Sequence, residues 1–318
     1  MKASYERINY ALRPAKNVQR KMICDSLRGL AHIADVNSYR YIGFGSPYFS
    51  DFILFHKQLG IQDMISIERD EAKQRRFDFN IPFSCVKMKY GPSIAVLPGI
   101  EDWDKRTILW LDYDGPLSRD MLADVETFLA KAVSGSVIIV SVEVDPGKEA
   151  GNWKDALADL KRRLPDQSVP GGLKARDLAG WGLSGVVRGI VDDHIRAMLK
   201  QRNGGSGRKG ELLYRQLFNF QYADGAKMLT VGGLLYDSGL AGARACRFDP
   251  SFTRDGSDAF TIQVPKLTNR EIRYLDSLLP NAVARLSEHP DAQHIPVEDL
   301  DDYQEIYRFF PTFSEAEL

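Results

Sequence analysis

Several short segments of the sequence place glycine, acidic or hydroxyl residues directly after apolar runs. In Gly43-Phe44-Gly45-Ser46 the glycines would let the backbone approach a ligand, and a helix beginning after them would offer unpaired N–H groups to a carboxylate or phosphate. Glu68 follows the next apolar run, where its carboxylate could accept hydrogen bonds from both hydroxyls of a ribose. Ser93 ends a Tyr-Gly-Pro-Ser turn that suits the edge of an adenine ring. Together these residues predict a nucleotide-like ligand site.

Four carboxylates follow the next two apolar runs: Asp112, Asp114, Glu143 and Asp145. If they met, their hard oxygen ligands would suit Mg²⁺ or Ca²⁺. Asp114-Gly115-Pro116 is also typical of a turn and Asp145-Pro146 of a helix start, where each aspartate would cap its own backbone. We favour this second interpretation, so a divalent metal is an alternative that we do not adopt. Asp112 is then the first candidate for a catalytic residue and Asp114 the second.

Other motifs that carry chemistry are missing from the sequence. The five histidines show no HxxxH or similar ligand spacing, and the three cysteines form no CxxC pair, so neither a zinc site nor a disulfide framework is indicated. There is no GxSxG elbow and no GxxxxGKS/T loop, so a hydrolase and a P-loop nucleotide-binding protein lose their usual support.

The elements that must position these residues alternate between strand and helix. Apolar and β-branched runs predict strands at 39–44, 64–67, 85–89, 107–111 and 137–142. Helical spacing and capping signals predict helices at 16–34, 47–60, 71–80 and 118–133. Two further β-rich runs are joined through Asp224-Gly225, a pair typical of a tight hairpin. Because interleaved strands and helices need crossover connections, the sequence predicts an α/β fold with a mostly parallel seven-stranded sheet ending in an antiparallel hairpin, with helical N- and C-terminal additions.

Three parts are expected along the chain. Residues 1–264 would form the α/β domain, and 145–213 within it would form a helical insert with a flexible glycine-rich loop at 203–210. Residues 265–318 would form an acidic helical extension packed on that domain, with a helix opened by the capping box Thr268-Asn269-Arg270-Glu271.

The charge is nearly balanced over 318 residues, with a net value of −1, but the two ends differ in sign. Residues 1–30 are mainly basic and 288–318 mainly acidic, which favours docking of one end on the other and leaves a nucleic-acid footprint as an alternative. A hydrophobic content of 44% is typical of a soluble globular protein. Because the sequence shows no signal-like start and no apolar stretch long enough to cross a bilayer, we expect a cytoplasmic protein with no membrane partner.

The order of elements over about residues 16–236 resembles that of the class I S-adenosylmethionine-dependent methyltransferases, whose fold is Rossmann-like. The glycine loop after the first strand, the acidic end of the second and the terminal hairpin carry this resemblance together. A narrower bacterial O-methyltransferase family is similar in the stretch Arg13-Pro14-Ala15-Lys16 and in an acidic and aromatic tail that includes Ile295-Pro296-Val297-Glu298-Asp299 and Tyr307-Arg308-Phe309-Phe310-Pro311.

The resemblance implies a role for each strand-end residue. The segment Gly43-Phe44-Gly45-Ser46 would line the methionine part of S-adenosylmethionine, and Glu68 would bind its ribose. Ser93 would lie near its adenine. Asp112 would act as a general base or orient the acceptor, with Asp114 as a second candidate catalytic residue.

Two positions depart from the family pattern. Tyr41 stands where an acidic residue is usual, and Pro47 stands where a third glycine is common. The leading hypothesis is an enzyme that transfers the methyl group of S-adenosylmethionine to an oxygen of an acceptor that the sequence does not identify. The alternative is a methyltransferase fold without turnover that binds a nucleic acid or a protein partner. The oligomeric state is equally unspecified, and a nucleotide-dependent oxidoreductase is disfavoured because its fingerprint needs the third glycine.

Overall fold

The computed structural model describes residues 13–146, 153–205, 210–280, 285–289 and 292–311. Its strands are β1 (Arg40–Phe44), β2 (Asp63–Glu68), β3 (Val86–Tyr90), β4 (Thr107–Pro116), β5 (Val137–Glu143), β6 (Leu212–Ala223), β7 (Lys227–Asp237) and β8 (Phe260–Ile262). Its α-helices are α1 (Pro14–Arg28), α2 (Ser50–Leu59), α3 (Gln74–Phe79), α4 (Ser93–Val96), α5 (Arg119–Lys131), α6 (Trp153–Arg163), α7 (Gly182–Asn203), α8 (Ala241–Ala245), α9 (Asn269–Leu278) and α10 (Val297–Ile306). None of the helices in these ranges combines the length and apolar character that a bilayer crossing requires.

The strands form one sheet in the order β3-β2-β1-β4-β5-β7-β6-β8. Strand β7 runs antiparallel to both of its neighbours, and the other described pairings are parallel. The predicted α/β fold with a mostly parallel sheet and a β6–β7 hairpin is confirmed. The predicted number of seven strands is wrong for the described chain, because the three-residue strand β8 joins the free edge of β6 and is too short to leave a periodic pattern.

Apolar side chains bury the sheet on both faces. On one face, α1 and α2 contribute Met22, Phe52 and Phe55 to a core that also contains Trp110 of β4. On the other face, α5 and α7 pack apolar positions such as Phe128 against the strands. Coverage of both faces explains why β1, β4 and β5 are almost continuously apolar, and it leaves the carboxyl ends of the parallel strands as the exposed edge where side chains can meet a ligand.

Two elements differ from their predicted bounds at that edge. Helix α2 begins at Ser50 rather than Pro47, because the buried Phe49 at its N-cap adopts a left-handed conformation with φ of 44°. Strand β4 continues to Pro116 with a shift in register against β5 between Asp112 and Pro116. The segment Asp114-Gly115-Pro116 therefore lies in an irregular strand rather than in the predicted turn, and such irregularities redirect side chains.

The predicted helical insert includes α7, whose apolar side chains pack on the sheet in the same core as α5. Residues 206–209 of the predicted glycine-rich loop lie outside the described residues. In the C-terminal region, α9 and α10 share a small apolar core around Leu275 and Tyr303. The division into an α/β domain with an insert and an extension stays a prediction.

The two ends of the described chain meet at α1. The ammonium of Lys21 donates to the carbonyl oxygens of Phe309 and Phe310, both at 3.2 Å. The ion pair between the ends joins Arg308 near the C-terminus to Asp25 of α1 at 3.5 Å, so the base comes from the acidic end and the acid from the basic end. Because residues 1–12 and 312–318 lie outside the described residues, docking of the basic end on the acidic end stays a prediction.

Candidate functional site

The glycine loop after β1 is shaped by its own neighbours. A Cβ atom at Gly43 would collide with the hydroxyl of Tyr41, and a Cβ atom at Gly45 would collide with the hydroxyl of Ser66 on β2. Ser46 accepts a hydrogen bond from the backbone N–H of Tyr48 at 3.2 Å, which fixes the turn before α2. The glycines are therefore required by packing, and the loop remains a place where backbone lies close to the strand ends.

The hydroxyl of Ser66 lies beneath this loop and is fully buried. It has no hydrogen-bond partner among the residues that the structure describes. Because buried polar groups in folded proteins are nearly always paired, this hydroxyl without a partner is an exception in the packing beneath the glycine loop.

An acidic group reaches β1 from the following helix. The hydroxyl of Tyr41 donates to the carboxylate of Asp51 in the first turn of α2. Burial raises the pKa of Asp51 and outweighs the opposing charge of Arg20. Burial and the neighbouring charge of Asp51 raise the pKa of Tyr41 well above its usual range. An acidic side chain from α2 therefore lies against Tyr41, the position where an acidic residue is usual in the family.

Asp112, at the end of the regular part of β4, is paired with a buried lysine. The ammonium of Lys16 on α1 lies 2.5 Å from Asp112 Oδ1 and 3.1 Å from the hydroxyl of Tyr222. The side chain of Lys16 is 1% exposed and that of Asp112 is 28% exposed. Burial alone would raise the pKa of Asp112, but the charges of Lys16, Arg20 and Arg13 outweigh it and lower the pKa. Asp112 is therefore held as a carboxylate and is a weak base.

Helix α1 is fixed over the site by the hairpin. The carboxylate of Asp224, in the β6–β7 turn, accepts hydrogen bonds from the backbone N–H groups of Ala15 and Lys16 at 3.0 and 2.8 Å. An acidic side chain at the first turn also interacts favourably with the helix dipole. The contact sets the position of the first turn of α1 and so brings Lys16 to Asp112.

A series of hydrogen bonds between buried side chains also links α1 to the sheet. Gln19 of α1 donates to the hydroxyl of Thr230 on β7 at 2.5 Å. That hydroxyl lies 2.6 Å from Ser141 on β5, and the indole N–H of Trp110 on β4 donates to Ser141 at 3.0 Å. The Trp110 ring in turn lies under the Lys16 ammonium, 4.8 Å from its centroid. One helix and three strands are thereby linked by groups that specify a single arrangement.

Glu68 ends β2 and is partly exposed. Its Oε1 accepts a hydrogen bond from the backbone N–H of Asp70 at 2.9 Å. Burial raises the pKa of Glu68 despite the N–H groups of Asp70 and Arg69 that face it. A partly buried carboxylate whose negative charge is only partly balanced by neighbouring N–H groups is suited to accept hydrogen bonds from a ligand.

Ser93 lies at the start of α4, directly beyond the end of β3, but its hydroxyl is already engaged. It donates to the buried carboxylate of Asp124 on α5, which also accepts from the hydroxyl of Tyr113 at 2.6 Å. The ring of Tyr113 packs edge-on against Phe44 with 5.0 Å between centroids. The role of Ser93 near an adenine stays a prediction, and any contact through its hydroxyl would compete with Asp124.

The remaining strand-end carboxylates do not form a cluster in the described chain. Asp114 is exposed in the irregular part of β4. Asp145 precedes residues 147–152, so its predicted capping of a following helix start falls outside the described residues. No group of three or more His, Cys, Asp or Glu side chains arranged to bind a metal ion occurs in the ranges described. The catalytic role of Asp114 stays a prediction.

Comparison with known families decides the classification. A family profile described as "Putative O-methyltransferase" matches residues 8–318. The chain belongs to this family. This membership agrees with the predicted resemblance to class I S-adenosylmethionine-dependent methyltransferases. The chain also shares their arrangement of strands, in which a parallel sheet ends in an antiparallel hairpin.

Three solved structures have some likeness to the chain. An amino pentose methyltransferase from Micromonospora echinaspora is 14% identical, with a TM-score of 0.32, over 44% of this chain and 56% of its own. An arsenic(III) S-adenosylmethionine methyltransferase from Chlamydomonas reinhardtii is 12% identical, with a TM-score of 0.39, over 65% and 66%. The M. jannaschii TYW2 protein in complex with AdoMet is 11% identical, with a TM-score of 0.39, over 74% and 80%.

The chain thus spans little more than half of the first of these proteins and about two thirds of the second. At such TM-scores the likenesses carry no argument about activity. A search of curated proteins finds no match.

The sequence alone predicts no role in the site for four residues: Lys16, Asp51, Ser66 and Tyr222. Lys16 carries a usable signal, because it belongs to the stretch shared with the narrower family. Asp51 carries a weaker one, as an acidic residue shortly after a glycine loop. Ser66 and Tyr222 are strand residues whose neighbours only the folded sheet reveals.

Proposed function

We propose that this chain transfers the methyl group of S-adenosylmethionine to an oxygen atom of its acceptor. The observation that carries the proposal is the meeting, at one edge of the sheet, of the glycine loop, the partly exposed Glu68 and the ionised Asp112. Membership of the O-methyltransferase family over residues 8–318 supports the same activity.

The residues present fit the cofactor. The backbone of Gly43 to Ser46, where neighbouring hydroxyls leave no room for a Cβ at either glycine, would bind its methionine part, and the carboxylate of Glu68 would accept hydrogen bonds from its ribose. When bound, S-adenosylmethionine supplies an electrophilic methyl group on a sulfonium ion. Phe44 and Tyr113, packed edge-on, would cover the side of this crevice and limit its access to water.

Asp112 would orient the acceptor rather than take its proton, which would pass to solvent water as the acceptor oxygen gains the methyl group and the thioether product leaves. Its pKa is lowered by Lys16, Arg20 and Arg13, so it is a poor proton acceptor but a strong hydrogen-bond acceptor. A fixed carboxylate beside the acceptor hydroxyl would hold the attacking oxygen in line with the methyl group, and orientation can supply much of the barrier reduction. Lys16, whose ammonium also donates to Tyr222, holds that carboxylate in place.

Calorimetric titration of the purified chain with S-adenosylmethionine tests cofactor binding, and incubation of the chain with methyl-labelled S-adenosylmethionine and a small-molecule extract tests transfer. We expect saturable binding and a label recovered as an O-methyl group. Asp112→Asn should leave cofactor affinity within about threefold and lower turnover by about 100-fold, whereas the exposed control Glu101→Gln should change neither. No heat with millimolar ligand would contradict the proposal, and binding without any labelled product would favour a non-catalytic binding protein instead.

A further inference from the structure

A groove of about 210 Å³ lies between α1 and α2, beside the site. Arg20 and Lys21 line it from α1, and Lys57 lines it from α2. Ile53 and Leu54 give its wall an apolar part. None of the residues of the described chain that line this groove is acidic, so it combines positive charge with a small apolar surface.

Two of these three cations have no carboxylate partner among the described residues. Lys21 donates to the carbonyl oxygens of Phe309 and Phe310, neither of which carries a formal charge, and burial lowers its pKa. Lys57 is exposed and takes part in no ion pair with the described residues. An anion in the groove would be attracted by both ammonium groups.

Arg20 joins the groove to the site. Its charge acts on Asp51 and on Asp112, so its guanidinium lies within electrostatic reach of both carboxylates and also forms part of the groove wall. Ser50, which also lines the groove, directly precedes Asp51. An anionic group in the groove would therefore lie beside residues that border both carboxylates of the site.

We infer that the groove between α1 and α2 binds a carboxylate or phosphate group of the methyl acceptor. The inference rests on the proposed function, whose acceptor it narrows to molecules that carry an oxyanion close to the methylated oxygen. The volume suits one such group with a few attached carbons, because sites for whole drug-sized ligands occupy about 300–1,000 Å³. Ile53 and Leu54 would contact those carbons.

Binding of three small probes to the full chain tests the inference. Benzoate and phenyl phosphate carry the two candidate anions on an apolar ring, and benzyl alcohol is their neutral counterpart. We expect at least one of the two anions to bind with a dissociation constant of about a millimolar or below, and benzyl alcohol to bind at least tenfold more weakly. The stronger of the two anions identifies the oxyanion that the groove prefers.

Charge reversal in the groove locates the binding. Lys57→Glu should weaken the anion about fivefold or more, whereas Lys87→Glu, the same change at an exposed position of β3 outside the groove, should leave it unchanged. Equal binding of benzyl alcohol, no binding of either anion, or no effect of Lys57→Glu would overturn the inference. Binding of a short RNA that depends on Lys57, with no small anion bound, would overturn it in favour of a nucleic-acid surface.

The same titrations separate this inference from the proposed function. If S-adenosylmethionine fails to bind while benzoate binds in a Lys57-dependent way, methyl transfer is excluded and the anion site is upheld. If S-adenosylmethionine binds and is turned over while neither anion binds, the activity stands and the inference fails.

Discussion

The two edges of the sheet differ in what their polar groups do. At the amino-end edge, a cavity of about 470 Å³ is larger than the groove beside the site. Its polar lining closes the fold: the side chain of Asn203 pairs with both backbone groups of Leu212 at 3.0 Å, and Ser134 accepts from the backbone N–H of Asp237 at 2.9 Å. At the carboxyl-end edge, by contrast, charged side chains are buried against one another and their pKa values are displaced.

The larger cavity is thus lined by groups that stabilise the fold, and the smaller groove lies beside the buried charges. The hydrogen bonds of Asn203 fix the connection between α7 and β6 at little cost in free energy, because they pair backbone groups that would otherwise be unsatisfied. A buried ion pair such as Lys16–Asp112 costs desolvation free energy that an apolar pair would not, so folding alone does not explain it. We therefore place the chemistry at the carboxyl-end edge, and the following experiments can break or sharpen that distinction.

Replacing Lys16 by methionine should have the largest effect. It would leave the carboxylate of Asp112 without its partner, and we expect the free energy of unfolding to fall by about 3 kcal/mol at neutral pH. In the folded chain the Asp112 pKa is below its ordinary 3.8, so the ion pair stabilises the fold at pH values above 3.8. This contribution to the free energy of unfolding is lost as the pH falls through the folded-state pKa of Asp112. Denaturant unfolding of both proteins from neutral to acid pH measures this, and their stabilities should converge at the acid end.

A matched surface pair provides the control for Lys16. Arg162 pairs with Asp159 but its side chain is 79% exposed, so Arg162→Met should reduce the free energy of unfolding by less than about 1 kcal/mol. Equal losses for the two variants would mean that burial of the Lys16–Asp112 pair is not what distinguishes the carboxyl-end edge.

Gly45→Ala should have the next largest effect. The new methyl group would collide with the Ser66 hydroxyl, and we expect a loss of about 2 kcal/mol in stability together with weaker binding of S-adenosylmethionine. Adding Ser66→Ala should restore most of the stability, because the remaining Cβ of residue 66 would lie 3.7 Å away in ordinary contact. Gly256→Ala, which meets nothing within 4 Å, is the control. A double variant no more stable than Gly45→Ala would show that the collision is not the cause.

Glu68→Gln should separate stability from binding. Burial raises the Glu68 pKa above its ordinary 4.5 in the folded chain. The free energy of unfolding therefore falls as the pH rises from 4.5 to the folded-state pKa, because the buried carboxylate becomes charged. The variant should therefore be as stable as the parent or up to about 1 kcal/mol more stable at neutral pH, yet bind S-adenosylmethionine about 10- to 100-fold more weakly. Thermal unfolding and calorimetry measure the two quantities, and unchanged affinity would remove Glu68 from the ribose site.

The features that the sequence predicts well are local ones. Ser118 accepts the backbone N–H of Met121 at the start of α5, and Thr268 and Glu271 form the reciprocal capping box of α9, as their spacing indicates. The positions of the Gly43–Ser46 loop, Glu68 and Asp112 at one edge follow from the alternation of strands and helices. These inferences need only short-range patterns and the rule that parallel strands end at a common edge.

The rest depends on contacts that no local pattern encodes. Lys16 and Asp112 are 96 residues apart, and their pairing converts a candidate base into a fixed carboxylate. The sequence predicts a helix from Pro47, because nothing in it signals the left-handed conformation of Phe49. Burial of Lys16 and Arg20 likewise turns a stretch that reads as a solvated basic strip into part of the site.

The smallest effect is expected at the amino-end cavity. Asp104 lines that cavity and is exposed, so Asp104→Asn should change the free energy of unfolding by less than about 0.5 kcal/mol and leave the affinity for S-adenosylmethionine unchanged. Calorimetry and denaturant unfolding, run beside Glu68→Gln, make the comparison direct, since both variants replace one carboxylate by its amide at opposite edges of one sheet. A loss of cofactor affinity in Asp104→Asn comparable to that in Glu68→Gln would mean that the larger cavity takes part in binding and that buried charge does not identify the site.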